Sequence, residues 1–214
     1  MSLIIDWLYP KKCLSCGKGE KYLCSECERK LIKGEIRKKE GFEGVISIYK
    51  YEGIIKKVIE DLKYGFVSEA GRELGQLMVK NLKIDYPNIV KYWQEEKYEV
   101  VPIPLYKHRK NWRGFNQSEI LAKEIAKSLN LRYQDDFLVR EKSAINQAKI
   151  KGGLKRRKNI SGVFKIKKGR EIPKKIILID DVITSGATIV EALKSGKGSL
   201  SDLNWALSLA GVRK

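Results

Sequence analysis

The chain has 214 residues and a formal charge of +18 at pH 7, with 44 Lys and Arg residues against 26 Asp and Glu residues. A chain of this length has room for one ordinary domain and a small appended module. No segment approaches the roughly 20 consecutive apolar residues that cross a membrane, so membrane insertion is not expected.

The N-terminal segment MSLIIDWLYP has neither a basic leader nor the apolar stretch of a signal sequence. These features predict a protein that remains in the cytoplasm. The first 35 or so residues are poor in periodic apolar runs, whereas the chain beyond them alternates strand-like and helix-like segments. We therefore predict a small module at residues 1–38 and a main domain at residues 39–214.

Two CxxC pairs lie in the predicted N-terminal module: Cys13, Cys16, Cys24 and Cys27. Four thiolates at this spacing can converge on one tetrahedral ion at about 2.3 Å each, and Gly17 suits the tight turn after the first pair. Sulfur fills all four positions and leaves none for substrate or water. We therefore predict a four-cysteine zinc finger with structural zinc, against the alternatives of a redox dithiol pair or an iron–sulfur cluster.

The first part of the main domain contains one predicted strand and two predicted helices. Val45–Tyr51 is rich in β-branched and aromatic residues, which favour a strand. Apolar residues recur at helical spacing over Ile54–Leu62, and this helix is expected to end near Gly65. A second helix is predicted over Glu69–Lys83, with its leucines and Met78 facing inward.

The middle of the chain carries most of the positive charge, since residues 101–170 include 19 basic and five acidic residues, a net +14. Tyr98–Ile103 is predicted to form a strand that two prolines close, followed by a loop. Asn116, with Glu119 three residues later, predicts the N-cap of a helix that runs to about Asn130. The charge favours a polyanionic partner, although a lysine-rich soluble surface would have the same composition.

Strands and helices are predicted to alternate towards the C-terminus. After a basic, irregular stretch at Arg140–Gly162, the pattern favours a strand at Ile176–Ile179, a helix near Thr188–Lys194 and a strand around Trp205–Leu209. Strands separated by helices indicate an α/β fold, a parallel sheet with helices on both faces. The segment Ser195–Asn204 shortens the preceding helix and leaves the packing of the last strand open.

The segment IILIDDVITSGAT combines an acid pair with a potential phosphate cradle. The apolar run is expected to deliver Asp180 and Asp181 to the carboxyl edge of the sheet, where α/β proteins bind ligands. The turn Thr184–Thr188 offers a phosphate group backbone N–H groups, hydroxyls and a helix N-terminus, and Gly186 permits close approach. Because carboxylates repel a phosphate, we expect the acids to accept hydrogen bonds from a ribose diol. A buried acid pair that caps a helix is the alternative.

This segment resembles the phosphoribosyl diphosphate motif of type I phosphoribosyltransferases, in which two acids precede a threonine-rich turn. The resemblance implies that Asp180 and Asp181 hold the ribose hydroxyls at the catalytic centre, and that Mg²⁺ accompanies the diphosphate. It assigns the 5-phosphate to the five residues of the turn: Thr184, Ser185, Gly186, Ala187 and Thr188.

Two further features narrow the resemblance to the ComF family. Val101–Gln117, VPIPLYKHRKNWRGFNQ, has a Pro-x-Pro strand end, spaced basic residues and the run Arg-Gly-Phe-Asn-Gln. The N-terminal CxxC pairs complete the pattern. The chain is thus identified as a member of the ComF family, with a type I phosphoribosyltransferase-like sheet and an N-terminal zinc module.

In type I phosphoribosyltransferases the loop after the corresponding strand binds the diphosphate. The resemblance implies this role for Lys107, Arg109 and Arg113, and the forked guanidinium donors of the arginines suit it best. A solvated basic loop is the alternative. His108 is the only histidine. A lone histidine could serve as a general base, but in the resembling enzymes binding and magnesium drive the departure of diphosphate without one. We therefore predict that His108 is a surface residue with no catalytic role.

The basic stretch Arg140–Phe164 takes the place of the flexible loop that closes over the reaction centre in those enzymes. Its glycines, Gly152 and Gly153, suit a gate. Its charge equally suits the phosphate backbone of single-stranded DNA, with Trp112 and Phe115 as stacking groups. The residues predicted to contact DNA are Arg113, Lys155, Arg156, Arg157 and Lys158.

ComF proteins are associated with DNA uptake during natural transformation and work with a membrane-associated helicase. The resemblance therefore implies a cytosolic protein whose partners are single-stranded DNA, phosphoribosyl diphosphate and a ComF-type DNA helicase or ATPase. The alternative is a metabolic phosphoribosyltransferase that joins a base or an amine to the sugar. The zinc module and the basic middle favour nucleic acid, whereas the acid pair and the phosphate turn favour a retained ligand or reaction.

Overall fold

A computed structural model describes residues 11–19, 21–64, 68–141, 162–167, 169, 173–196 and 203–212. Its strands are β1 (Ile36–Lys39), β2 (Phe42–Lys50), β3 (Glu99–Pro102), β4 (Arg132–Tyr133), β5 (Leu138–Arg140), β6 (Phe164–Ile166), β7 (Ile176–Ile183) and β8 (Trp205–Gly211). Its helices are α1 (Ser25–Arg29), α2 (Gly53–Tyr64), α3 (Ser68–Asp85), α4 (Pro87–Glu95), α5 (Lys107–Arg113), α6 (Gln117–Leu129) and α7 (Ala187–Lys194).

Six strands form one sheet in the order β1-β2-β8-β7-β3-β4, and every neighbouring pair except β1 with β2 is parallel. β7 lies between β3 and β8, with Leu178 opposite Val101 and Asp180 opposite Ser208. β5 and β6 form a separate antiparallel pair. The segments that follow β3 and β7 therefore meet at the same carboxyl edge of the sheet, which is where α/β proteins bind ligands.

Two apolar clusters cover the two faces of the sheet, because successive side chains of a strand point to opposite faces. Ile177 and Ile179 belong to the larger cluster, together with side chains of α2, α3, α4 and α6. Ile176 and Leu178 belong to the other cluster, with side chains of α7 and the β5–β6 pair. A mostly parallel sheet with helices on both faces confirms the predicted α/β fold class.

The apolar positions that predicted a helix lie mostly on the buried face of that helix. Of the apolar positions predicted for α2, Ile55, Val58, Ile59 and Leu62 are at most 1% exposed, whereas Ile54 is half-buried. α6 begins after Asn116, whose side chain accepts a hydrogen bond from the Ser118 N–H at 3.2 Å and donates one to the Ile103 carbonyl at 3.0 Å. One asparagine thus joins the start of α6 to the end of β3.

Two elements near the site differ from their predictions. β7 does not end at Ile179 but continues through both acids to Ile183, because β8 pairs with it as far as Gly211. The segment after Pro104, predicted as a loop, contains the helix α5, which ends at Gly114 in the left-handed conformation with a φ of 74°. The sequence analysis also did not predict α4, although a proline at its first position is a common helix start.

The last strand packs between β2 and β7, and all of its residues are buried. Asn204, which precedes it, accepts a hydrogen bond from the Ile176 N–H through Oδ1 at 3.1 Å. The Asn204 carbonyl accepts another from the Glu43 N–H at 2.8 Å. These bonds join the residue before β8 to both strands that flank it, β7 and β2. Residues 197–202 of the atypical segment lie outside the described residues.

The cysteine-bearing segment packs onto the main core, since Cys13, Leu23 and Cys27 belong to the larger apolar cluster. β1 pairs with β2 of the main sheet and contains the predicted boundary at residue 38, and the division into two domains stays a prediction. Among the helices of the described residues, none has the length and apolar character needed to span a membrane.

Candidate functional site

The two adjacent acids lie in β7, at the carboxyl edge of the sheet. Asp180 Oδ1 accepts hydrogen bonds from Ser118 Oγ at 3.1 Å and from the Asp181 N–H at 2.9 Å. Burial, followed by the neighbouring Asp181 charge, raises the pKa of Asp180 to about 7. Asp180 is therefore a hydrogen-bond acceptor whose own charge changes near neutral pH.

Lys63, which the sequence analysis did not select, forms an ion pair with the second acid. Its Nζ lies 2.8 Å from Asp181 Oδ2, and the two side chains are 20% and 14% exposed. Burial lowers the pKa of Lys63, but the charge of Asp181, its hydrogen bond to Lys63 and the smaller contributions of Tyr51 and Asp180 together outweigh burial and raise the pKa overall. The only sequence signal was a basic residue near the end of the amphipathic helix α2. Lys63 and the two acids thus form one charged cluster.

The predicted phosphate turn follows β7 directly. Thr184 and Ser185 are exposed, and Gly186 is left-handed with a φ of 75°. Ser185 Oγ accepts a hydrogen bond from the N–H of Ala187, the first residue of α7, at 3.3 Å. Thr188 lies in the first turn of the same helix. Exposed hydroxyls and a helix N-terminus thus lie immediately after the acid pair, on the edge of the sheet where ligands bind.

The residues predicted to bind diphosphate lie on the short helix α5. Lys107 and Arg109 are exposed, and so is His108. Arg113 is half-buried, and its Nη1 donates a hydrogen bond to Gln117 Oε1 at 3.4 Å. α5 follows β3 and precedes α6, so it lies at the same edge of the sheet as the acids.

Arg140, at the end of β5, is a further candidate for the site, although the sequence did not single it out. Its guanidinium lies over the Phe164 ring, with Cζ 5.4 Å from the ring centroid. Burial and then the charge of Arg109 lower the pKa of Arg140, whereas Asp180 raises it. Arg140 thus interacts electrostatically with both the basic helix and the acid pair. Its position at the start of the basic stretch was the available signal.

Arg113 is the one predicted DNA contact within the described residues. Lys155, Arg156, Arg157 and Lys158 lie outside them, as does most of the predicted lid. Trp112, a predicted stacking group, is 57% exposed on α5. Phe115 instead packs partly against the larger apolar cluster. Of the two aromatic candidates, Trp112 is the one that faces solvent.

The sulfur atoms of the four cysteines converge on one point. Cys13, Cys16, Cys24 and Cys27 have all their Sγ atoms within 4.8 Å of one another, and the Cys16 and Cys24 sulfurs are 3.7 Å apart. Four sulfurs at 2.3 Å from a tetrahedral zinc ion are about 3.8 Å apart, so the cluster fits Zn²⁺. Gly17 has a φ of 76°, and its N–H donates to the Cys13 carbonyl at 2.8 Å, as the predicted turn requires. The cluster is a structural zinc site.

Two glutamates of α3 hold the zinc module on the main domain. Glu73 accepts hydrogen bonds from the backbone N–H groups of Tyr22 at 3.2 Å and Leu23 at 2.9 Å. Glu69 accepts one from the Tyr22 hydroxyl at 3.3 Å and pairs with Lys11 Nζ at 3.1 Å. α3 packs in turn against α6, the helix that supplies Ser118 to the acid pair. The module is therefore part of the same packed structure as the site.

Comparison with known proteins gives a family match for the cysteine module and relatives that extend over most of the chain. The double zinc ribbon domain family matches residues 4–39, which include the four cysteines. DNA utilization protein YhgH of Escherichia coli O6:H1 is 23% identical over 194 residues, which cover 86% of this chain and 82% of that protein. Competence protein ComFC of Bacillus subtilis is 28% identical over 181 residues, covering 83% and 68% of the two chains.

A third relative, competence protein F of Haemophilus influenzae, is 31% identical over 97 residues, which cover 44% of this chain and 42% of that protein. The first two similarities extend over most of the chain, well beyond the zinc ribbon. The zinc ribbon match and the relatives named competence protein and DNA utilization protein together support a protein of the ComF family.

Proposed function

We propose that this chain takes part in DNA uptake, that it binds single-stranded DNA, and that it binds phosphoribosyl diphosphate with Mg²⁺ at the carboxyl edge of its sheet. The names of the relatives, competence and DNA utilization proteins, support the first part. The observation that carries the ligand proposal is the unbroken succession of an acid pair in β7, a turn with left-handed Gly186 and the N-terminus of α7. A ComF-type DNA helicase is the expected protein partner.

Each part of the ligand has a matching group at this edge. Asp180 and Asp181 accept hydrogen bonds from the ribose diol, and the turn and helix N-terminus receive the 5-phosphate. Arg109 and Arg140 suit the diphosphate, because guanidinium groups pair with phosphate oxygens through two parallel donors. Bound Mg²⁺ supplies further positive charge to the diphosphate.

Calorimetric titration with phosphoribosyl diphosphate and Mg²⁺ tests this site. The variant Asp180→Asn/Asp181→Asn is expected to bind at least about tenfold more weakly, since hydrogen bonds to charged acceptors are lost. Asp135→Asn/Asp136→Asn is the matched control, because it makes the same change at an adjacent acid pair outside the proposed site. Equal affinities for the two double variants would contradict the proposal.

The exposed ring of Trp112 on a basic helix supports the DNA proposal. Basic side chains attract phosphates, and an exposed indole stacks on a base of a single strand. We expect Trp112→Ala to weaken binding of a fluorescent oligothymidylate about tenfold in an anisotropy titration, with Trp112→Phe less affected. Binding that is insensitive to salt and to both variants would refute a DNA contact at α5.

A metabolic phosphoribosyltransferase is the second candidate, and Arg140 favours it. The guanidinium of Arg140 interacts with Asp180, and together with Arg109 it would place two positive charges near a diphosphate that leaves the sugar during reaction. Diphosphate release from phosphoribosyl diphosphate, assayed with a panel of bases and amines, tests this candidate. If no base or amine raises the rate of diphosphate release above the rate measured without an acceptor, the protein binds the ligand but does not transfer its sugar.

DNA and phosphoribosyl diphosphate are proposed to influence each other's binding. If one ligand changes the affinity of the other, the change must be the same factor in both directions. The calorimetric titration repeated in the presence of a short single-stranded DNA measures that factor. A factor of one in both directions would show that the two ligands bind independently.

A further inference from the structure

Two basic side chains of the edge strand β1 reach the phosphate turn. Exposure alternates along this strand: Ile36 and Lys38 are exposed, whereas Arg37 and Lys39 are half-buried. The alternation follows from the pleat of a strand, which turns neighbouring side chains to opposite sides. Arg37 and Lys39 thus reach a turn that lies 146 residues later in the chain.

Three successive carbonyl groups, those of Ile183–Ser185, accept hydrogen bonds from β1. Arg37 Nη2 donates to the first two at 3.3 and 3.1 Å, and Lys39 Nζ donates to the third at 3.2 Å. Arg37 Nη1 also donates to the carbonyl of Val212, just after β8, at 3.0 Å. Within the described part of the chain, neither cation forms an ion pair with a carboxylate, so both charges are directed at neutral backbone groups.

These bonds help to hold the direction of the backbone N–H groups in the turn, together with the β7–β8 pairing, in which the Ile183 carbonyl also accepts a hydrogen bond from the Val212 N–H at 3.3 Å. The carbonyl and the following N–H of a trans peptide point in opposite directions, and no cis peptide occurs among the described residues. Because the carbonyls of Ile183–Ser185 are directed at β1, the N–H groups of Thr184, Ser185 and Gly186 are directed away from it. Successive N–H groups with a common direction form a concave anion site.

Lys39 also packs directly against the turn. A Cβ at Gly186 would lie 3.3 Å from Lys39 Cε, so the aliphatic part of the lysine lies beside the space that a side chain at position 186 would enter. Gly186 is the N-cap of α7, whose first turn carries partial positive charge. The ammonium group therefore adds a full positive charge behind the N–H groups, where it attracts a phosphate on the other side.

We propose that Arg37 and Lys39 are positioning residues for a phosphate monoester. They hold three carbonyl groups so that the following N–H groups face the ligand, and they supply positive charge behind the turn. Neither side chain contacts the phosphate itself. This inference rests on the proposed binding of a sugar phosphate by the turn, and it makes the edge strand a determinant of that affinity.

Calorimetric titration of the full-length, zinc-loaded protein with ribose 5-phosphate, at low and at high salt, tests the charge of Lys39. Lys39→Met is expected to weaken binding about fivefold at low salt and to reduce the dependence of affinity on salt. Lys39→Arg is expected to restore both. Lys38→Met is the matched control, since it removes the same charge from an exposed position on the same strand.

Arg37→Lys tests orientation separately from charge. This variant keeps the positive charge, but a single ammonium group cannot replace a guanidinium that bridges three carbonyls. We expect weaker binding of ribose 5-phosphate with an unchanged salt dependence and an unchanged melting temperature. A loss of thermal stability that accounts for the whole loss of affinity would overturn the positioning role.

The outcomes separate this inference from the function on which it rests. If the wild-type protein binds neither ribose 5-phosphate nor phosphoribosyl diphosphate, the proposed site itself is refuted and the inference with it. If the wild type binds, but Lys39→Met and Arg37→Lys behave like Lys38→Met, the site stands and the inference is overturned.

Discussion

Replacing Asp180 by asparagine is expected to stabilise the fold at alkaline pH while it weakens ligand binding. Asparagine has the same shape, and its side-chain oxygen can still accept the hydrogen bonds from Ser118 Oγ and the Asp181 N–H. It removes a partly buried negative charge that lies beside a second carboxylate. The ion pair between Lys63 and Asp181 remains.

The magnitude follows from the raised pKa of Asp180. An acid whose pKa is higher in the folded than in the unfolded state destabilises the fold above its folded pKa; this cost declines as pH falls through the window between the two pKa values and vanishes below the unfolded one. A rise from 3.8 to about 7 sets an upper limit of about 4 kcal/mol near pH 8. Because the side chain is partly exposed, we expect Asp180→Asn to raise the free energy of unfolding by about 1–2 kcal/mol there.

Urea unfolding followed by tryptophan fluorescence, in buffers between about pH 4 and pH 8, measures both predictions. Between these values the native wild type holds the proton that the unfolded chain releases, so this group makes stability rise as pH falls, by up to about 1.4 kcal/mol per pH unit. Asp180→Asn lacks this contribution. Asp135→Asn, at an exposed position, is the control. An Asp180→Asn protein that is no more stable than the wild type near pH 8 would refute the reasoning.

Three further predictions concern the zinc module and the helix packing. Removal of zinc by a chelator is expected to lower the melting temperature measured by circular dichroism, and added Zn²⁺ should restore it; an unchanged melting temperature would exclude a structural role. Glu73→Ala removes the acceptor of two backbone N–H groups of the module and should cost about 1–3 kcal/mol in urea unfolding, whereas Glu60→Ala, at an exposed position of α2, should cost little. Gly75→Ala should lower the free energy of unfolding by about 1–3 kcal/mol, because its Cβ would lie 2.8 Å from Glu124 Cβ; a stabilised variant would mean that α3 and α6 can separate at no cost.

Features that depend only on residues close together in the sequence could be predicted from it. The CxxC spacing predicted the zinc site, since four ligands within 15 residues can reach one ion without help from the rest of the chain. The N-cap at Asn116 and the left-handed conformation of Gly17 likewise follow from local backbone chemistry. The apolar spacing of α2 predicted its buried face for the same reason.

Element ends were harder to predict where a partner strand decides them. β7 extends to Ile183 because β8 continues to pair with it. The local sequence does not indicate this pairing, because the apolar run that predicted the strand ends where Asp180 begins. The helix α5 lies in a segment whose charge favoured an exposed loop, and its left-handed end at Gly114 was its clearest local signal.

Residue types at short spacing were enough to predict the fold class, the zinc site and the candidate phosphate turn. Folding of the whole chain was needed to bring Lys63 to Asp181, Arg140 into the field of Asp180, and the two cations of β1 to the turn. These contacts join residues from 40 to about 150 positions apart, and their partners are often backbone carbonyls, which every residue carries. No spacing rule identifies such partners, so the packing of the sheet alone decides which charges surround the site.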